Sequence, residues 1–179
     1  TNLGFKNKFP QKKISKSKII VLDPGHGGVD PGAIGIKGTY EKKIVLMAAK
    51  SIKKILSKSG RYNVILTRKS DRFIPLRKRV AIARRAKADL FISLHADSIK
   101  NGAVRGATVY TLSENASDRE AAQLAERENK TDLIAGIDLN AESKEVTDIL
   151  IDLVQRETMN QSAVFAGAVV QEITKKIKT

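Results

Sequence analysis

Short, uninterrupted apolar runs alternate with longer amphipathic stretches over residues 18–112, the pattern of strands separated by helices. Ile19 to Leu22 is continuously apolar and rich in β-branched residues, as in a strand covered on both faces. A helix is expected from Thr39 or Tyr40 to about Lys58, with Ile44, Met47, Ala48, Ile52, Ile55 and Leu56 in its stripe and lysines opposite. Gly60 closes it. Tyr62–Thr67 reads as a second strand and Ala88–His95 as a third, with Leu76, Val80, Ile82, Ala83 and Ala86 marking a helix between them. Arg105–Leu112 alternates well enough for a fourth strand. This order predicts an α/β fold: a mainly parallel, twisted sheet of four or more strands flanked by helices, in a single domain.

Beyond Ser113 the pattern loosens. Ser117–Asn129 is rich in Ala, Glu and Arg and should be helical, with Ser117 as N-cap and Glu120 completing a capping box. Leu124 is its one large apolar residue, so its claim on the core is weak. Thr131–Ala141 reads as a loop with an apolar patch at Leu133, Ile134 and Ile137. From Ser143 to about Lys178 a long helix is expected, striped by Val146, Ile149, Leu150, Leu153, Val164, Ala168 and Ile173. Residues 1–17 are basic, polar and aperiodic, and read as a linker or N-terminal strap ahead of the domain at 18–179.

Composition narrows the function classes. Apolar residues make up 41% and charged residues 29%, as in an ordinary globular protein. No apolar run approaches the roughly 20 residues that span a bilayer. Cysteine is absent, which removes disulfides, thiolate metal ligands and a cysteine nucleophile. Thirty-three basic against 19 acidic residues give a net charge of +14, which suits a polyanionic partner but is first of all a solvated basic surface. Nucleic-acid binding is not expected, because no stacking aromatics interleave the basic residues.

The chemistry gathers at strand ends. The first strand runs into Asp23-Pro24-Gly25-His26-Gly27-Gly28, and five glycines and one proline fall between residues 27 and 39, which makes a long shaped loop. The chain has two histidines: His26 follows the first strand and His95 ends the third. The carboxyl edge of a parallel sheet is where α/β folds place their ligands. Two imidazoles there are good ligands for a borderline metal such as zinc, and two histidines with one glutamate is an established zinc set. Spacing alone leaves Asp23, Asp30, Glu41 and Asp97 as candidates for the third ligand. A serine nucleophile competes poorly, since Ser93 lies within a strand and no Gly-x-Ser-x-Gly occurs. The glycine loop is not a phosphate loop by pattern.

Asp-Pro-Gly-His-Gly-Gly at 23–28, Glu41 at a helix start, Thr67-Arg68 followed by Asp71, and Ser93-Leu94-His95-Ala96-Asp97 together resemble the zinc-dependent N-acetylmuramoyl-L-alanine amidases. The resemblance implies one zinc ion held by His26, Glu41 and His95, and cleavage of the amide joining muramic acid to L-alanine in peptidoglycan. Arg68 and Asp71 are expected to brace loops rather than touch substrate. Residues 113–142 resemble the insertion of the cell-division subgroup, in which a helix covers the site until a LytM-like activator withdraws it. In Leu124-Ala125-Glu126-Arg127-Glu128-Asn129 the occluding metal ligand would be Glu128, with Glu120 and Glu126 as substitutes.

The family's second catalytic glutamate, in a Glu-x-Gly-(Phe/Tyr)-hydrophobic-(Ser/Thr)-Asn pattern, has no counterpart here, and Glu157 and Glu172 do not match it. No general base is therefore assigned. The resemblance implies a monomeric protein exported to the bacterial envelope or periplasm, acting in septal wall splitting. The alternative expectation is a non-catalytic, zinc-containing wall-binding or regulatory module.

Overall fold

The computed structural model describes residues 17–96, 106–112, 122, 126 and 149–177. Among the described residues, three parallel strands form the sheet: β1 (Lys18–Pro24), β2 (Tyr62–Leu66) and β3 (Leu90–Leu94), in the order β2-β1-β3. Helix α1 (Glu41–Lys58) connects β1 to β2, and α2 (Leu76–Arg85) connects β2 to β3. The β1 register sets Leu22 opposite Leu66 on one side and Asp23 opposite Ser93 on the other. Central β1 is the apolar run read from the sequence, and its last five residues are all buried. The architecture is the expected α/β one, a small parallel sheet flanked by helices.

Alternation divides β1 between two faces. Ile20 and Leu22 join Ala49 of α1 and Val64 and Leu66 of β2 in the main core, with Ile52 and Leu56 packed at its edge. Val21 and Asp23 point the other way. There Arg79 of α2 reaches the Asp23 carboxylate at 2.9 Å.

Three details of the sheet and its connecting helices depart from the sequence reading. The buried residues of α1 are Glu41, Val45 and Ala49, whereas Ile44, Met47, Ala48 and Ile55 are exposed. The phase of the helix follows from Glu41: once that side chain turns inward, the positions four residues apart turn in with it. In α2 the inward positions are Arg79 and Ala83, and Val80 is exposed. Residues 106–112, expected as part of a fourth strand, pair with no described strand, and Leu112 is 85% exposed. An alternating pattern supplies a face but not the neighbour whose backbone completes a ladder.

The long helix is present as α3 (Ile149–Ile177). Among the residues of α3 whose burial is described, Met159, Ser162, Ala166, Val169 and Ile173 are half-buried, while Val164 and Ala168 are exposed. Of the expected stripe, Ile173 is half-buried and Val164 and Ala168 are not, while the burial of Val146, Ile149, Leu150 and Leu153 lies outside what is described. The Ser117–Asn129 helix and the Thr131–Ala141 loop lie almost wholly outside the described residues, as do residues 1–16. No described helix is long and apolar enough to cross a membrane.

Candidate metal centre

The turn after β1 is built to hold one imidazole in an unusual place. His26 has φ +59, a left-handed conformation that costs a non-glycine residue of order 1–3 kcal/mol. Reciprocal hydrogen bonds between the backbones of Gly27 and Asp30, at 2.9 and 3.2 Å, close the turn beneath it. Asp30 Oδ2 lies 2.8 Å from His26 Nδ1, which fixes that nitrogen as the protonated one and leaves Nε2 to face the site. Asp30 Oδ1 accepts from the Gly32 amide at 3.0 Å, so the orienting carboxylate is itself oriented.

Glu41 comes from the first turn of α1, where the unpaired amides and the helix dipole favour a negative charge. Its Oε2 accepts from the Ala33 amide at 2.8 Å and its Oε1 from the Ala96 amide at 2.7 Å. The carboxylate thus ties the glycine-rich loop to the segment following β3. Gly32 makes room for it: with φ +67, a Cβ there would meet His26 Cδ2 at 2.6 Å and Glu41 Oε2 at 2.7 Å. At Gly25, an added Cβ would collide with the His95 ring.

These elements bring three donor atoms together. His26 Nε2 and His95 Nδ1 are 3.1 Å apart, and each lies 3.2 Å from Glu41 Oε1. The two rings meet edge to face with centroids 4.9 Å apart. A tetrahedral zinc with ligand bonds of about 2.0–2.1 Å separates its donors by about 3.3 Å. The spacing and the nitrogen–nitrogen–oxygen donor set therefore fit zinc. His26 and Glu41 are buried, and His95, with 26% of its side chain exposed, forms the side open to solvent.

Protonation follows from the same contacts. Burial works against a charged His26, but hydrogen bonds and charge from Glu41 and Asp30 outweigh it and raise the pKa to about 9. For Glu41, burial works against ionisation, yet bonds to His26, His95, Ala33 and Ala96 hold its carboxyl well below the usual carboxylate range. In the metal-free protein the centre is therefore a carboxylate paired with a protonated imidazole. A cation must displace that proton to bind.

Of the three described acidic residues among the four left open by spacing, Glu41 is the one facing both histidines. Asp23 is engaged by Thr67, Ser93 and Arg79, Asp30 stands behind His26, and Asp97 lies outside the described residues. Glu128 and Glu120 also lie outside them, and Glu126 is a helical, exposed residue.

Arg68 and Asp71 brace the loops, as expected. Arg68 donates to the carbonyls of Pro24 at 2.8 Å, Gly25 at 2.7 Å and Lys42 at 2.8 Å. Burial, and after it the neighbouring Arg79, lowers the pKa of this guanidinium. Asp71 accepts from the Gly28 amide at 2.8 Å and pairs with Lys42 at 2.9 Å. Arg79 is the residue that sequence reasoning missed: it is 2% exposed and contacts Asp23 and the carbonyls of Pro24, His26 and Ile74. Its one signal in the sequence was a break in the apolar stripe of α2 on the inward side.

Comparison with known proteins finds N-acetylmuramoyl-L-alanine amidases. N-acetylmuramoyl-L-alanine amidase AmiA of Escherichia coli (strain K12) is 43% identical over 163 residues, covering 90% of this chain and 56% of the relative. AmiC of Escherichia coli O6:H1, also an N-acetylmuramoyl-L-alanine amidase, is 40% identical over 158 residues, covering 88% of this chain and 38% of the relative. The chain thus spans about half the length of AmiA and less of AmiC. Among solved structures, the catalytic domain of the amidase CwlV from Bacillus (Paenibacillus) polymyxa var. colistinus is 41% identical, covering 49% of each chain with a TM-score of 0.46. The sequence profile of the N-acetylmuramoyl-L-alanine amidases (Amidase_3) matches residues 20–179, and the chain belongs to that family.

Proposed function

We propose that this chain is the zinc-dependent hydrolase of a peptidoglycan amidase, cutting the amide between N-acetylmuramic acid and L-alanine. One observation carries the reading: His26 Nε2, His95 Nδ1 and Glu41 Oε1 form a triangle with sides of 3.1–3.2 Å in a chain of the amidase family. Zinc held by these three residues supplies Lewis acidity and an acidified water, the two requirements of amide hydrolysis at neutral pH.

The chain's own groups prepare that chemistry. Asp30 holds the His26 tautomer that turns Nε2 inward. The Ala33 and Ala96 amides fix both Glu41 oxygens, so the carboxylate cannot swing away from the imidazoles. The substrate amide approaches from the His95 side, the solvent-facing edge of the triangle.

The segment 113–142 is the regulatory part of the proposal. A helix within it covers the centre, and Glu128 takes the ligand position that the water needs. A LytM-like activator in the envelope withdraws it. Support comes from the similarity of Leu124–Asn129 to the division-type insertion and from a helix poor in large apolar residues, suited to detachment. The reading places the protein, as a monomer, outside the cytoplasmic membrane during septal splitting, where an anionic wall suits its +14 charge.

Release of dye from labelled peptidoglycan tests the proposal. The zinc-loaded chain should show low release, and deletion of residues 113–142 should raise it by about ten-fold or more. Loss of release in His26→Ala must accompany that gain. A deleted form that binds zinc but releases no dye would instead identify a non-catalytic wall module.

A further inference from the structure

We infer that Arg79 and Arg68 are positioning residues for the metal centre, a paired guanidinium clamp that sets the ligand geometry before any metal arrives. This rests on the reading of His26, Glu41 and His95 as a zinc site.

Three consecutive carbonyls of the His26 turn end on these two side chains. Pro24 O accepts from Arg68 Nε at 2.8 Å and from Arg79 Nη1 at 2.9 Å. Gly25 O accepts from Arg68 Nη2 at 2.7 Å, and His26 O from Arg79 Nη2 at 2.8 Å. A turn with its carbonyls so held cannot relax His26 out of its left-handed φ of +59 without stripping donors from buried arginines. That penalty opposes the strain at His26.

The clamp also reaches the elements that carry the other two ligands. Arg68 Nη2 donates to Lys42 O, in the first turn of α1 beside Glu41. Arg79 Nη1 donates to Asp23 Oδ1, while Asp23 Oδ2 accepts from Ser93 Oγ at 3.1 Å, two residues before His95. The planar fork of each guanidinium spans elements that a lysine ammonium could meet only one at a time. Arg68 is 0% and Arg79 2% exposed, and charge buried so completely is tolerable only with its N–H groups partnered. Each arginine is therefore wedded to the shape of the turn. No apolar residue at position 79 could both dock α2 and hold His26.

The test compares zinc affinity, by competition with a chromophoric chelator, across full-length wild type, Arg79→Lys and Val64→Ala. Val64 is a buried core residue away from the clamp and controls for general loss of stability. Arg79→Lys should weaken zinc by about 10–100-fold, as loss of an orienting partner does. Val64→Ala should stay within about two-fold of wild type even where its melting temperature falls as far. The visible bands of the cobalt-substituted protein should shift in Arg79→Lys and not in the control, reporting altered ligand geometry at full occupancy. Where Arg79→Lys does not fold, Arg68→Lys carries the same expectation through Gly25 and Lys42. Wild-type affinity and unshifted cobalt bands in a folded arginine variant overturn the clamp alone. A wild-type chain that takes up no zinc overturns the metal-centre reading beneath it.

Discussion

At the scale of single residues, the centre works by removing freedom from groups that would otherwise move. His26 is the clearest case, held on its ring by Asp30 and on its carbonyl by Arg79. Asp30→Asn keeps an acceptor but loses the charge that favours a basic Nε2. Zinc affinity should fall by about 10–100-fold, measured by chelator competition, and an unchanged affinity contradicts the orienting role.

The same contacts set a pH dependence in the metal-free protein. The folded pKa of His26 is about 9 against an ordinary 6.5, so its contribution to stability is complete below 6.5 and disappears as pH rises to 9. Glu41, held low, has the opposite sign: its contribution is present above its ordinary 4.5 and is lost on acidification. Chelated wild type should therefore lose melting temperature between pH 6.5 and 9 more steeply than chelated His26→Gln. Parallel profiles would contradict the pairing.

The residues differ in how openly the sequence announces them. His26 and His95 were legible because they are the only imidazoles and both follow apolar strands. Glu41 was one of four acidic candidates on spacing, and the family pattern was needed to single it out. Arg79 was hidden, because an arginine on a basic helix reads as a solvated side chain until the fold buries it.

At the scale of elements, the three strands of the sheet were legible, whereas the fourth expected strand and the phases of the helices were not. Continuous apolar runs in β1 leave little doubt about a buried strand. In α1 the inward face begins with a carboxylate, and a stripe read from apolar residues alone rotates toward Ile44, Met47 and Ile55, all of which are exposed. Function overrode the hydrophobic pattern at the first inward position, and α2 shows the same effect at Arg79. The glycine-rich loop is constrained from both sides, because Gly32 combines φ +67 with contact to His26 and Glu41. Gly32→Ala should destabilise the fold by about 1–3 kcal/mol and weaken zinc binding, measured by thermal unfolding with and without metal. Wild-type behaviour in both would show that the loop has slack to spare.

At the scale of the molecule, parallel order β2-β1-β3 explains why the site is where it is. Central β1 carries His26 at its carboxyl end, its neighbour β3 delivers His95, and α1 starts beside them with Glu41. Residues far apart in sequence share one sheet edge because every strand runs the same way. The segment 113–142, proposed above as regulatory, belongs to the same scale: on that proposal its deletion should change turnover without changing the metal ligands. If Glu128 competes as proposed, wall digestion should rise in the deleted form while zinc affinity rises or stays level. A fall in affinity on deletion would place the third ligand in that segment rather than at Glu41.

The central claim is that His26, Glu41 and His95 hold one catalytic zinc. Metal analysis of the purified chain, beside His26→Ala, tests it most directly. The account predicts about one zinc per wild-type chain and near-complete loss in the variant, with the fold intact by circular dichroism. Less than about half an equivalent in wild type, or zinc retained undiminished in His26→Ala, would contradict it.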